Sequence, residues 1–152
     1  MDEGRLAFRT ARLIALAFPA GVVLFWVIAW FLTKAGGRGL SPGLLRGDVA
    51  IWIWAVVALA GFLGAFVFRG RALQAANGTA EGRPPAPGGA ARVLTTLIVA
   101  WALLEGQALL GGVLFLLLAV NGILLGAACV YAMGLVLTFP RAEWFGVNDA
   151  GD

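Results

Sequence analysis

An all-α fold, an integral membrane bundle of four helices, is predicted by three observations. Apolar runs are as long as a bilayer is thick, charges are too few to clothe a soluble surface, and basic residues collect between the runs. Of the 152 residues 61% are hydrophobic and 12% charged, where soluble domains carry about 45–50% apolar and about 25% charged residues. The mean hydropathy of +0.93 expresses the same imbalance. A chain this short exposes a large share of its surface, so lipid must cover the apolar excess.

The first two spans are residues 13–32 and 49–68, each 20 residues long, and 20 helical residues rise about 30 Å, the thickness of the hydrocarbon core. The next apolar region, 93–139, is broken only by Glu105, Gln107 and the Asn121-Gly122 pair. As one helix it would be about 70 Å long, so it folds back. Asn-Gly is a strong turn signal, which predicts spans at 93–119 and 122–139. Helices are required because the bilayer core offers no partner for open backbone groups. Residues 33–48, with Gly36, Gly37, Gly39, Pro42 and Gly43, read as a loop. Residues 69–92 read as a mobile linker whose Arg83-Pro84-Pro85-Ala86-Pro87 run favours polyproline geometry. The chain is then one transmembrane domain, 1–152, of two hairpins. Gly21-Val22-Val23-Leu24-Phe25 aligns with Gly111-Gly112-Val113-Leu114-Phe115; a duplicated hairpin explains this, and so does shared apolar composition.

Eleven Lys and Arg against eight Asp and Glu give a net charge of +3. In a soluble chain that balance would raise nucleic acid as a partner; here the basic residues flank apolar spans, and that reading is set aside. Arg5, Arg9, Arg12, Arg69, Arg71, Arg83, Arg92 and Arg141 fall on one side of the membrane, against Lys34, Arg38 and Arg46 on the other. The positive-inside bias therefore places both termini in the cytoplasm. Residues 13–32 are longer than a signal-peptide core and lack a cleavage site, so they read as a retained span. With Cys129 as the one cysteine and no histidine, an intramolecular disulfide and the usual zinc and haem ligand sets are excluded. No metal or cofactor is expected. Nor is there a nucleophile with a base or a carboxylate pair, so the chain does not read as an enzyme.

Glu105 is the one ionisable group deep within a span. A charged carboxylate at mid-bilayer costs about 2.5–3.5 kcal/mol on insertion scales, and no Lys, Arg or His lies in the spans to offset it. The uncharged form is expected, and it both donates and accepts a hydrogen bond. Gln107, Thr95, Thr96, Tyr131 or a carbonyl freed by Pro19 are candidate partners. The bland reading of Glu105 and Gln107 is a hydrogen bond between helices; the sharper one makes Glu105 a proton carrier. Small residues at four-residue spacing mark packing faces: Ala17 and Gly21, Ala60 and Gly64, Gly61 and Ala65, Ala102 and Gly106, Ala108 and Gly112, Gly122 and Gly126. Trp26, Trp30, Trp52, Trp54 and Trp144 read as interface belts, and Trp101, one turn before Glu105, as a wall between that carboxyl and lipid.

The stretch from Ala102 through Glu105 to Gly111 is similar, over about ten residues, to the ion-binding helix of the proteolipid c subunits of rotary ATPases. That resemblance implies an ion-translocating subunit with Glu105 as carrier. The partner helix lacks the family's alternating glycines, and the loop 33–48 falls on the other side from the family's polar loop. The whole chain resembles a loose group of small uncharacterised bacterial four-span membrane proteins, through Ala102-Leu103-Leu104-Glu105 to Leu109 in span three and Phe139-Pro140-Arg141-Ala142-Glu143 after span four. This resemblance implies a bacterial inner-membrane location and brings no activity. The favoured expectation is a structural or accessory subunit of a membrane complex, meeting lipid, other subunits or copies of itself; the alternative is the proteolipid-like carrier.

Overall fold

The computed structural model describes residues 3–36, 47–80 and 88–147, with side chains from 75 to 80 left aside. It shows the predicted all-α bundle: α1 (Glu3–Gly36), α2 (Gly47–Ala80), α3 (Gly89–Leu118) and α4 (Asn121–Thr138), then a 3₁₀ turn at Ala142–Phe145. All four helices are long and apolar enough to cross a membrane.

The helices outrun the apolar segments that predict them. α1 and α2 each have 34 residues, about 51 Å of helix against a hydrocarbon core of about 30 Å. On α1, Arg12 stacks 5.7 Å over the Phe8 ring, and Lys34 stacks 5.8 Å over Trp30. Those two cations stand about 33 Å apart along the helix, the spacing of two interfaces. The linker reading of 69–92 is corrected over much of its length: residues 69–80 continue α2, and α3 begins at Gly89. With Ala72, Ala75, Ala76 and Ala80 following the arginines, strong helix formers extend the rod past the membrane. The Pro84 to Pro87 run lies outside the described residues. Of the loop 33–48, residues 33–36 and 47–48 are helical and 37–46 lie outside the described residues.

The reversal after α3 falls earlier than Asn121-Gly122. Ala119 is left-handed at φ 57, its N–H donating to Phe115 O at 2.7 Å, and Val120 is extended. That bond caps α3 in the left-handed manner, so Asn121 and Gly122 form the first turn of α4 instead of the turn itself.

α3 is the hub. It packs against α1, α2 and α4, while α1 and α2 share no packed face among the described residues. Half of its apolar span is buried, against 17% for α1 and α2 and 28% for α4. The two hairpins are therefore not equivalent: α3 and α4 pack along each other, whereas α1 and α2 are joined through α3 and the 3₁₀ turn.

One end of the bundle is closed by the 3₁₀ turn. Trp144 and Phe145 are buried among Ala11 and Ala15 of α1, Ala72 of α2, and Val93, Leu97 and Trp101 of α3. The Phe145 and Phe8 rings lie 5.7 Å apart. Both described chain ends thus sit at the same end of the bundle, as an even number of crossings requires. Trp144 is an end plug, not a belt residue. Trp30 and Trp52 remain exposed, as a belt predicts, while Trp26 and Trp54 turn inward.

Candidate functional site

The glycines sort the helix faces. A Cβ built on Gly112 would lie 2.6 Å from Phe25 Cε1 and 2.8 Å from Trp26 Cδ1, so only glycine lets α1 lie this close. Trp26 uses the closeness: its Nε1–H donates to Ala108 O at 3.0 Å. On the α2 side a Cβ at Gly61 would lie 3.1 Å from Leu103 O, and one at Gly64 2.9 Å from Leu103 Cδ1. On the α4 side Gly126 receives the Trp54 ring, with 2.8 Å left to Cη2. Gly21 has room: its nearest neighbour is Glu105 Oε1 at 4.0 Å.

Gly106 and Gly122 differ from all of these. A Cβ on either would meet nothing within 4 Å, and Ala102, one turn from Gly106, is exposed. Among the described residues, the Ala102 and Gly106 pair therefore has no helix seated on it. Sequence reasoning missed two positions that do pack. Gly111 takes Ala127 and Trp54 at its surface, and Gly134 takes Leu104. The second was legible as a heptad seam, since Ala127, Tyr131, Gly134 and Thr138 all face inward at 4-3-4 spacing.

Polar groups follow the same division. Trp101 is 1% exposed and donates to Thr138 Oγ1 at 3.1 Å, and Thr138 donates to Gly134 O at 2.8 Å. Trp101 is therefore tied to α4. Thr95 and Thr96 donate to carbonyls of their own helix, Ala91 O and Arg92 O, so neither serves Glu105. Glu105 itself is half-buried beside Gly21 of α1 and within electrostatic range of Tyr131 of α4. It makes no hydrogen bond or ion pair among the described residues. The predicted interhelical bond from Glu105 is thus not formed among the described residues.

Gln107 is the deeper anomaly. It is 1% exposed, yet neither its amide nitrogen nor its amide oxygen has a hydrogen-bond partner. The Tyr131 hydroxyl is unpartnered as well. Gln107 lines a groove of about 390 Å³ between α2 and α3, whose other walls include Ala60 and Gly61 of α2 and Ala102, Leu103 and Gly106 of α3. Buried polar atoms are normally paired, and a lipid tail carries nothing that could pair them. Among the described residues no cluster of Cys, Asp and Glu is arranged to hold a metal ion.

Comparison with protein-family models, curated proteins and solved structures finds no match. Fold and site together define a class: a small membrane protein of four helices, whose central helix leaves a small-residue face open between an unpaired carboxyl and an unpaired carboxamide.

Proposed function

We propose that this protein is a non-enzymatic structural or accessory subunit of a complex in a bacterial inner membrane, both termini cytoplasmic, offering the open face of α3 to a partner helix. One observation carries the reading: the hub helix keeps a close-approach site, Ala102 and Gly106, on which no described helix of its own chain is seated. Small residues allow helix backbones to touch where lipid removes the hydrophobic drive for association. The seven described arginines at the end shared by both chain termini support the cytoplasmic placement.

Gly106→Leu tests it. Because the position opens on empty space, the bundle should keep its own stability to within about 0.5 kcal/mol. A discrete large assembly extracted from native membranes in mild detergent should be lost. An assembly that survives the substitution at full yield sinks the proposal.

A second reading keeps Glu105 as a proton carrier in a proteolipid-like subunit, and is favoured by a carboxyl that is half-exposed and free of hydrogen bonds. Glu105→Gln preserves hydrogen bonding and removes the titratable proton. On this reading it abolishes proton flux in reconstituted vesicles and labelling by a hydrophobic carbodiimide; on the subunit reading it leaves assembly unchanged and there is no flux to lose.

A further inference from the structure

The geometry points to a second copy of this chain as the partner: two copies meet α3 to α3 at Gly106, and Glu105 of each enters the groove between α2 and α3 of the other to pair with Gln107. The inference rests on the subunit reading above and names its partner.

Successive helical residues are about 100° apart around the axis. Glu105 and Gln107 therefore flank Gly106 on opposite sides, Glu105 toward Gly21 of α1 and Gln107 toward Gly61 of α2. A two-fold axis running parallel to α3 beside Gly106 turns the Glu105 flank of one copy against the Gln107 flank of the other, and does so twice. This is the isologous contact that two-fold symmetry demands. An uncharged carboxyl and a carboxamide are complementary: the amide N–H donates to the carboxyl carbonyl oxygen, and the carboxyl O–H donates to the amide oxygen.

Each chain carries one of each, and neither has a hydrogen-bond partner among the described residues of its own chain. The groove of about 390 Å³ beside Gln107 gives the incoming side chain room, and the bare Gly106 lets the backbones close enough to deliver it. A lipid tail would fill the same groove and leave all four groups unpaired. An unrelated helix would have to bring both a carboxyl and a carboxamide at the matching spacing. A second copy brings both by construction.

The test uses the full chain, purified in mild detergent and in nanodiscs. Wild type should be a dimer. In a Cys129→Ser background, Gly106→Cys oxidised with copper phenanthroline should cross-link at least tenfold more than Val136→Cys, which is 77% exposed on α4. Glu105→Leu and Gln107→Leu should each raise the dimer Kd at least tenfold. Glu105→Gln combined with Gln107→Glu should restore it to within threefold, because the exchanged pair is still one carboxyl against one carboxamide on each side. That rescue is not a property of mere packing. Equal cross-linking at the two cysteines, or an exchange variant as weak as the single changes, overturns the inference. A monomer that still joins a larger assembly through Gly106 overturns the second copy and leaves the subunit reading standing; a monomer with no companion overturns both.

Discussion

Gly111→Leu should be among the most disruptive single changes in the bundle. A Cβ at this position would lie 2.6 Å from Ala127 Cβ on α4 and 3.0 Å from Trp54 Nε1 on α2, so three helices converge on the missing side chain. Neither neighbour yields easily. Ala127 has no torsion to rotate, and the Trp54 ring is already held against Gly126. Overpacking a well-filled interior costs roughly 1–3 kcal/mol and occasionally more; leucine wedged between a β-carbon and an indole belongs at the upper end, about 3 kcal/mol. For a chain of this size that lowers Tm by about 6–12 °C, which thermal unfolding in detergent, followed by far-UV circular dichroism, would register. Gly122→Leu is the matched control, since nothing lies within 4 Å of its Cβ. Equal unfolding temperatures for the two variants would show that α3 and α4 do not meet at Gly111.

Trp101→Ala should cost at least as much, for the opposite reason. Trp101 is the largest of the fully buried side chains. It packs 6.3 Å from the Phe18 ring of α1 and belongs to the cluster that receives Trp144 and Phe145. Truncating such a residue costs about 3–5 kcal/mol through lost contacts and the cavity left behind. Its indole N–H also joins α3 to α4 through Thr138. Trp101→Phe separates the two contributions: it keeps most of the volume and removes only the donor. Because Thr138 still bonds Gly134 O, that variant should lose about 1–2 kcal/mol. An alanine variant that melts with wild type would mean that the cluster at this end is not packed as described.

Much of the architecture was legible because bilayer thickness is a harsh ruler. Two 20-residue apolar runs and a third too long for one crossing leave little choice but four helices. The limits of the helices were less legible, since hydropathy reports the membrane and not the helix. Residues 69–80 are polar enough to read as linker yet rich in alanine, and they stay helical. The reversal slipped from Asn121-Gly122 to Ala119-Val120 because a helix cap depends on where the last carbonyl finds its donor, here the Ala119 N–H.

The glycines were the hardest to read. Gly61, Gly64, Gly112 and Gly126 hold neighbouring helices, whereas Gly106 and Gly122, in the same four-residue pattern, face outward. Spacing shows which residues share a face, not what that face meets. Tryptophan deceived in a related way. Trp26 and Trp144 lie at the sequence positions of a belt, yet one hydrogen-bonds a backbone carbonyl of α3 and the other seals the bundle end. Glu105 and Gln107 were singled out by chemistry alone, and both end without hydrogen-bond partners among the described residues. A sequence can announce that a polar group is out of place; only a fold shows that nothing nearby answers it.

The arrangement around one central helix also sets an order of events during synthesis. The first two helices in chain order share no packed face of their own among the described residues, so as a pair they are expected to stay apart in the lipid. The third should gather them, the fourth should dock onto it, and Trp144 and Phe145, which follow the fourth helix in the chain, then close the gathered end. A bundle built this way tolerates no early stop: until its third crossing is delivered, there is nothing to assemble.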